Sequence, residues 1–202
     1  TEEPMLSQFH ELPEVVRSFA EAQENRRNLV FQHNSTVVYN ELMPELQEKG
    51  VIFTDLHTAL REHGDLVKKY FMSEVIRPDE HRLTALHAAL WSGGVFLYVP
   101  KNVKLEVPIQ SLLWTDKSGA GLLPHLLIVV EDNSRLTYLD NYVSAEGVEN
   151  IVHNGITELY VGAGASVQYA TLHHYDAGVI DVSLRRAVVE RDGRMEWIVG
   201  DL

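Results

Sequence analysis

Ten histidines and no cysteine set the chemistry open to this 202-residue chain. Without thiols there is no thiolate nucleophile, no thiolate metal ligand and no disulfide. Imidazoles and carboxylates remain. The densest group is His173-His174-Tyr175-Asp176. On a strand, adjacent side chains face opposite ways, so these two histidines cannot chelate one ion. His173 with Tyr175, or His174 with Asp176, could share a face, but a zinc site needs three or four convergent ligands. The plainer reading is a solvent-facing or coil-edge polar pair. His57 and His63 are six residues apart, as are His81 and His87. Helix neighbours are three or four apart, so these read as histidines of helix surfaces or helix ends.

Gly162-Ala-Gly-Ala-Ser166 is glycine-rich but lacks the lysine of a phosphate loop, and strand-like residues follow it instead of a helix. Glu131-Asp132 sits in the same kind of turn, which gives paired carboxylates no acid/base role. No serine lies in a nucleophile-elbow pattern. On residue chemistry alone, no side chain is assigned a catalytic, cofactor-binding or metal-ligating role.

Lys plus Arg number 17 and Asp plus Glu 29, a formal charge of −12. Nucleic acids and anionic membranes need a basic face, so neither is an expected partner. The amino-terminal residues lack the basic start and apolar run of a signal peptide. The apolar run near residues 122–130 is broken by Pro124 and His125, so no membrane span is expected. With no cysteine, the default expectation is a cytoplasmic protein. The absence of an initiator Met and the stop at Leu202, just after a strand-like run, read as two cut ends.

Residues 1–92 read as a small α/β lead-in. A helix is expected over 11–25, opened by Pro13-Glu14. A hairpin is expected over 29–39. A short helix follows from Pro44 to Gly50, then a strand at 51–54. Thr54-Asp55 caps a helix through about residue 60, and Gly64-Asp65 opens another to about residue 72. Pro78-Asp79-Glu80 begins a helix whose buried stripe is Leu83, Leu86, Ala89 and Leu90.

Residues 93–202 read differently. Ser92-Gly-Gly-Val-Phe-Leu-Tyr-Val-Pro-Lys101 alternates like a strand and closes on proline. Its end recurs. Val99, Val130, Val161 and Val189 each precede a four-residue turn and a second alternating run, at steps of 31, 31 and 28 residues. An even step with two strands per step suits a β-solenoid, in which each coil buries its inner face on the next. A hairpin-built sandwich is the alternative, but hairpin loops seldom keep such spacing.

Two strings then carry a resemblance. Gly50-Val-Ile-Phe-Thr-Asp-Leu-His-Thr-Ala-Leu-Arg-Glu-His-Gly-Asp-Leu-Val-Lys-Lys-Tyr-Phe71 and Leu83-Thr-Ala-Leu-His-Ala-Ala-Leu-Trp-Ser-Gly-Gly-Val-Phe-Leu-Tyr-Val-Pro-Lys-Asn-Val103 resemble the entry into the core of SufB/SufD proteins. Pro108-Ile-Gln110, the run from His125 to Val130, Arg185-Arg186 and the run from Arg191 to Trp197 continue it. The likeness is closer to the SufD branch of Gram-positive bacteria. It implies a right-handed parallel β-helix, single-stranded per layer, behind a small α/β region. It implies a scaffold subunit of iron–sulfur cluster assembly that pairs with a SufB-like scaffold and a SufC-like ATPase. It also implies that the cluster-forming and ATPase-binding parts lie beyond Leu202, so the chain is expected to be a fragment with no cofactor of its own. Iron, flavin or no ligand all stay open.

Two other functions are open to such a chain. A carbohydrate-active solenoid enzyme needs paired carboxylates on one face. Glu106, Thr137, Gln168 and Glu196 stack in one row, but the two acids are three coils apart. At ~4.8 Å per coil that is roughly 14 Å, beyond inverting geometry. An oligomerising module, pairing two copies through solenoid edges, is the third reading.

Overall fold

The four valines that set the step are register partners. Val99 pairs with Val130, Val130 with Val161, and Val161 with Val189, each in a parallel ladder. The computed structural model describes residues 43–202. The helix expected over 11–25 and the hairpin over 29–39 lie outside the described residues. The chain parts into two compact units, residues 1–49 and 50–202. In the first, the described element is a short helix, α1 (Met43–Glu48). Residues 50–92 fall in the same unit as the coils.

That unit is a β-solenoid of about four coils with three sheets. The first sheet holds β1 (Ile52–Asp55), β2 (Gly94–Val99), β5 (His125–Val130), β8 (Ile156–Val161) and β11 (Leu184–Val189), in that order. The second holds β3 (Ile109–Thr115), β6 (Arg135–Ser144), β9 (Ser166–His174) and β12 (Arg194–Asp201). The third holds β4 (Gly121–Leu122), β7 (Ile151–His153) and β10 (Val179–Asp181). All coil-to-coil ladders are parallel, which rules out the sandwich. β1 alone is antiparallel, and it covers the edge of β2 that would otherwise be bare.

The even step has a local cause. The third turn residue after each valine is Asn102, Asn133, Gly164 or Asp192, with φ of 63°, 58°, 67° and 59°. Glycine and the short polar Asn and Asp tolerate this left-handed conformation. The turns also bond to one another: the Asn102 N–H donates to the Asp132 carbonyl, Asn133 to Ala163, and Gly164 to Arg191. Between coils one and two, Val107-Pro108 are additional residues. Lys104 bridges Arg135, yet Ile109 already faces Tyr138. Proline lacks the N–H a ladder would need, so the extra pair bulges there.

Both faces of the first sheet are buried. Leu97, Val99, Ile128 and Leu159 face the solenoid interior. Phe96, Leu127 and Val129 face outward against α2 (Leu56–Glu62) and α3 (Gly64–Tyr70), meeting Leu56, Ala59 and Val67. Asp55 caps α2 by accepting from the Thr58 N–H at 3.0 Å. In the interior, Tyr138 and Tyr169 occupy successive coils at one register position and stack at 5.9 Å; Trp197 holds the same position on the last coil, where it is exposed.

The last helix, α4 (Arg82–Leu90), departs from expectation twice. It starts at His81, not at Pro78. His81 Nδ1 accepts from the Leu83 N–H and the His81 backbone N–H donates to Thr84 Oγ1, while Asp79 is held by Arg77. Its buried stripe is Thr84 and His87, with Leu86 and Leu90 exposed. The expectation counted leucines, but the sheet opposite α4 offers a histidine and a carboxylate.

Candidate functional site

Two buried polar clusters carry the chemistry of the described residues. The first lies under the helical cover. β5 begins with His125, on the outward-facing row with Leu127 and Val129, and its register partner in β2 is Gly94. On β8, Glu158 stands where β5 has Leu127. α4 lowers His87 onto them. The three side chains are fully buried.

Their bonds form a directed chain. His87 Nδ1 lies 2.8 Å from the Asn154 carbonyl, His87 Nε2 lies 3.1 Å from His125 Nδ1, and His125 Nε2 lies 3.0 Å from Glu158 Oε2. A carbonyl only accepts, so His87 Nδ1 donates and its Nε2 accepts from His125 Nδ1. Burial holds the His87 pKa down at about 4, so this ring is neutral at neutral pH. Burial lowers the His125 pKa too, against the opposing pull of Glu158. The carboxylate also receives the Met72 N–H at 2.7 Å and the Ile76 N–H at 3.1 Å. Met72 reaches it from a left-handed backbone, φ 47°, a strain of about 1 kcal/mol that a charge-assisted bond offsets.

The second cluster runs from the interior to the third sheet. Asp140 accepts from Ser111 and, at 3.0 Å, from Tyr169; burial pushes its pKa up. Further along, Arg185 donates to His173 Nε2. His173 therefore carries its proton on Nδ1, which faces Asp201 at 3.0 Å and Asp181 at 3.4 Å. Burial and the Arg185 charge both lower its pKa. Burial raises the pKa of Asp181, but hydrogen bonds from His153 and Ser183 outweigh that and hold it below the usual carboxylate range.

Ser183, His153 and Asp181 invite comparison with a hydrolase triad, and the geometry refuses it. Ser183 Oγ and Asp181 Oδ1 both address His153 Nδ1, at 3.0 and 3.1 Å. A triad uses one ring nitrogen for the acid and the other for the nucleophile. Metal chemistry finds no better footing: among the described residues no three His, Asp or Glu side chains are arranged to hold an ion.

The histidines singled out from sequence separate clearly. His57 stacks on Trp91 at 4.6 Å, His63 lies between α2 and α3, and His81 caps α4. His87 lies in the last turn of α4, but it is fully buried instead of on the surface. His173 and His174 do face opposite ways, but His173 is buried, only 6% exposed, and stacks on Tyr175. Gly162 to Ser166 forms a stacked turn leading into β9. Glu196 lies beside Gln168, which lies beside Thr137, three of the four residues expected in one row; the β3–β6 ladder begins only at Ile109, so Glu106 is not paired into it. Reasoning from sequence missed His125, Glu158, Asp181 and Asp201. Glu158 had a readable signal: an acid one step after Leu127, inside an apolar strand.

Fold and clusters together define a parallel β-solenoid with a helical cover on its first sheet. Residues 15–111 match the SufBD protein N-terminal region, and residues 113–202 match the SufBD core domain of SUF system FeS cluster assembly. The chain belongs to the SufBD family. It is 43% identical over 196 residues to the iron-sulfur cluster assembly protein SufD of Bacillus subtilis, which covers 96% of this chain and 45% of that protein. It is 36% identical over 171 residues to an iron-sulfur cluster assembly SufBD family protein of Staphylococcus haemolyticus, covering 85% of this chain and 37% of the relative. A Staphylococcus aureus relative is 35% identical over the same length. The chain thus spans less than half the length of these curated relatives. Among the described residues no helix is long and apolar enough to cross a membrane.

Proposed function

We propose that this chain supplies the opening coils and helical cover of a SufD-type scaffold in iron–sulfur cluster assembly, and that its own role is structural, not catalytic. The observation that supports this most is the coincidence of the coil register with the family match: the coils from β5 onward lie in the stretch that matches the SufBD core domain, and the first coil and the cover lie in the stretch that matches the SufBD N-terminal region. The first cluster ties the cover to two coils, and its His87, His125 and Glu158 side chains bond to other protein atoms. The cluster being assembled is cargo, handled by the whole complex. In this reading the full-length protein works in the cytoplasm with a SufB-like scaffold and a SufC-like ATPase.

The test is co-purification of the full-length protein with those two partners from cells expressing all three. Stable association supports the scaffold reading. Failure to associate, together with glycosidase activity of the purified chain, would sink it. The carbohydrate-active alternative is already weakened, because the residues beside Glu196 on its row are Gln168 and then Thr137, neither of them an acid.

A further inference from the structure

The chain from Asn154 through His87 and His125 to Glu158 fixes a proton count. His87 donates to the carbonyl and accepts from His125. His125 Nε2 then faces Glu158 Oε2 at 3.0 Å with its other nitrogen already donating. One proton must lie on that edge. With none, an imidazole lone pair faces a carboxylate; with a further proton anywhere on the chain, two donors face each other. All three groups are fully buried, so neither fault is relieved by water.

We propose that this one-proton edge is a latch: it fastens the cover formed by residues 71–90 to the solenoid, and it releases when the surroundings call for fewer protons or for more. The cover hangs on it directly, because Met72 and Ile76 donate their N–H groups to Glu158 and His87 rides on α4.

The pH dependence follows from counting. Closed, the three groups hold one titratable proton. Open to water, histidines titrate near pH 6.5 and a glutamate near about 4.3. Above about pH 6.5 the open groups hold none, so opening releases one proton. Between about pH 4.3 and 6.5 they hold two, so opening takes one up. Protection of the cover therefore peaks near about pH 6.5 and falls about tenfold per pH unit on either side. The low pKa of His87 keeps the closed count at one through this range.

Other charged groups around the edge do not reproduce this. On β11, Arg186 donates to the Val75 carbonyl and pairs with Glu80, whose pKa that arginine lowers. Tyr160 on β8 donates to the Tyr70 carbonyl, and burial raises its pKa above the range in question. His153, next to Asn154, keeps its own partners Asp181, Ser183 and Tyr175.

Amide hydrogen exchange by NMR on this chain tests the latch. Exchange at Met72 and Ile76 is followed from pH 5 to 8.5 and corrected for intrinsic rates, with Ile128 in β5 reporting the solenoid. The expected result is a maximum near about pH 6.5 and roughly 25-fold weaker protection at pH 8.5 for the two cover amides, because both open histidines are half-protonated at the maximum, with Ile128 unchanged. In Glu158→Leu nothing is left to share a proton with His125, so the closed groups hold no titratable proton. There overall protection should drop, the alkaline arm should vanish and the acid arm should steepen toward about hundredfold per pH unit. Flat protection above about pH 6.5 in the unaltered chain, an alkaline arm that survives in Glu158→Leu, or a parallel loss at Ile128 would each overturn the proposal. If Glu158→Leu does not fold, the pH series on the unaltered chain decides alone.

Discussion

Gly94 is the residue whose replacement by alanine should be costliest for its size. It opens β2 with φ +137°, a conformation that side chains with a Cβ rarely adopt, and it lies against His125. A Cβ there would sit 1.9 Å from the His125 carbonyl oxygen and 2.6 Å from its carbonyl carbon and amide nitrogen. These are backbone atoms of a neighbouring coil, so no rotamer change relieves the clash. Clearing it needs a shift of more than about 1 Å, which would also carry the His125 ring off Glu158. The backbone strain costs about 1–3 kcal/mol and the overpacking about as much again, giving roughly 4 kcal/mol for Gly94→Ala. For a unit of this size that is a fall in Tm of about 8–16 °C. Gly121→Ala is the control: its Cβ would meet only Leu123 Cδ1, at 3.7 Å, and should change stability by less than about 1 kcal/mol. Urea and thermal unfolding followed by circular dichroism measure both. Gly94→Ala within about 1 kcal/mol of the unaltered chain would refute the close-approach argument.

The stacked turns and the interior give two more expectations. Asn133 holds φ 58° and donates to Asn102 at 3.4 Å, while glycine serves at the equivalent place in the next coil. Asn133→Ala should lose about 1.5 kcal/mol and Asn133→Gly about 0.5, read from chemical denaturation; the reverse order would remove the left-handed turn as the cause. Tyr169→Phe keeps the stack with Tyr138 but deprives buried Asp140 of a donor, so stability should fall by about 2 kcal/mol at neutral pH. An unchanged midpoint would show that Asp140 does not depend on that hydroxyl.

How far the fold could be read from the residues depends on which forces repeat. The valines, the left-handed turn residues and the alternating runs recur because every coil solves the same problem: stack on its neighbour and turn in register. Val99, Val130, Val161 and Val189 therefore announce both the step and the pairing. The α4 stripe failed because its reading used hydrophobicity alone. Helix patterning assumes that the surface beneath is apolar, and here it is His125 and Glu158. Leu86 and Leu90 were pushed outward by a polar bond that no helical period can reveal.

The missed cluster is a case where repetition breaks, and that break is itself informative. On the outward row of the first sheet, one step leads from Leu127 to Glu158 and the next from Glu158 to Arg186. An apolar residue, an acid and a base stack in neighbouring coils. Under α2 and α3 the outward face is apolar, with Phe96, Leu127 and Val129. The acid and the base each reach up to the segment between α3 and α4: Glu158 takes the N–H groups of Met72 and Ile76, and Arg186 takes the carbonyl of Val75 and the carboxylate of Glu80. That segment is irregular backbone lying over a sheet, with polar groups no helix or ladder satisfies. The two charges are the sheet's answer to it. In a repeat protein, a charged residue at a position that its neighbours keep apolar thus marks the place where something that does not repeat is fastened to the stack.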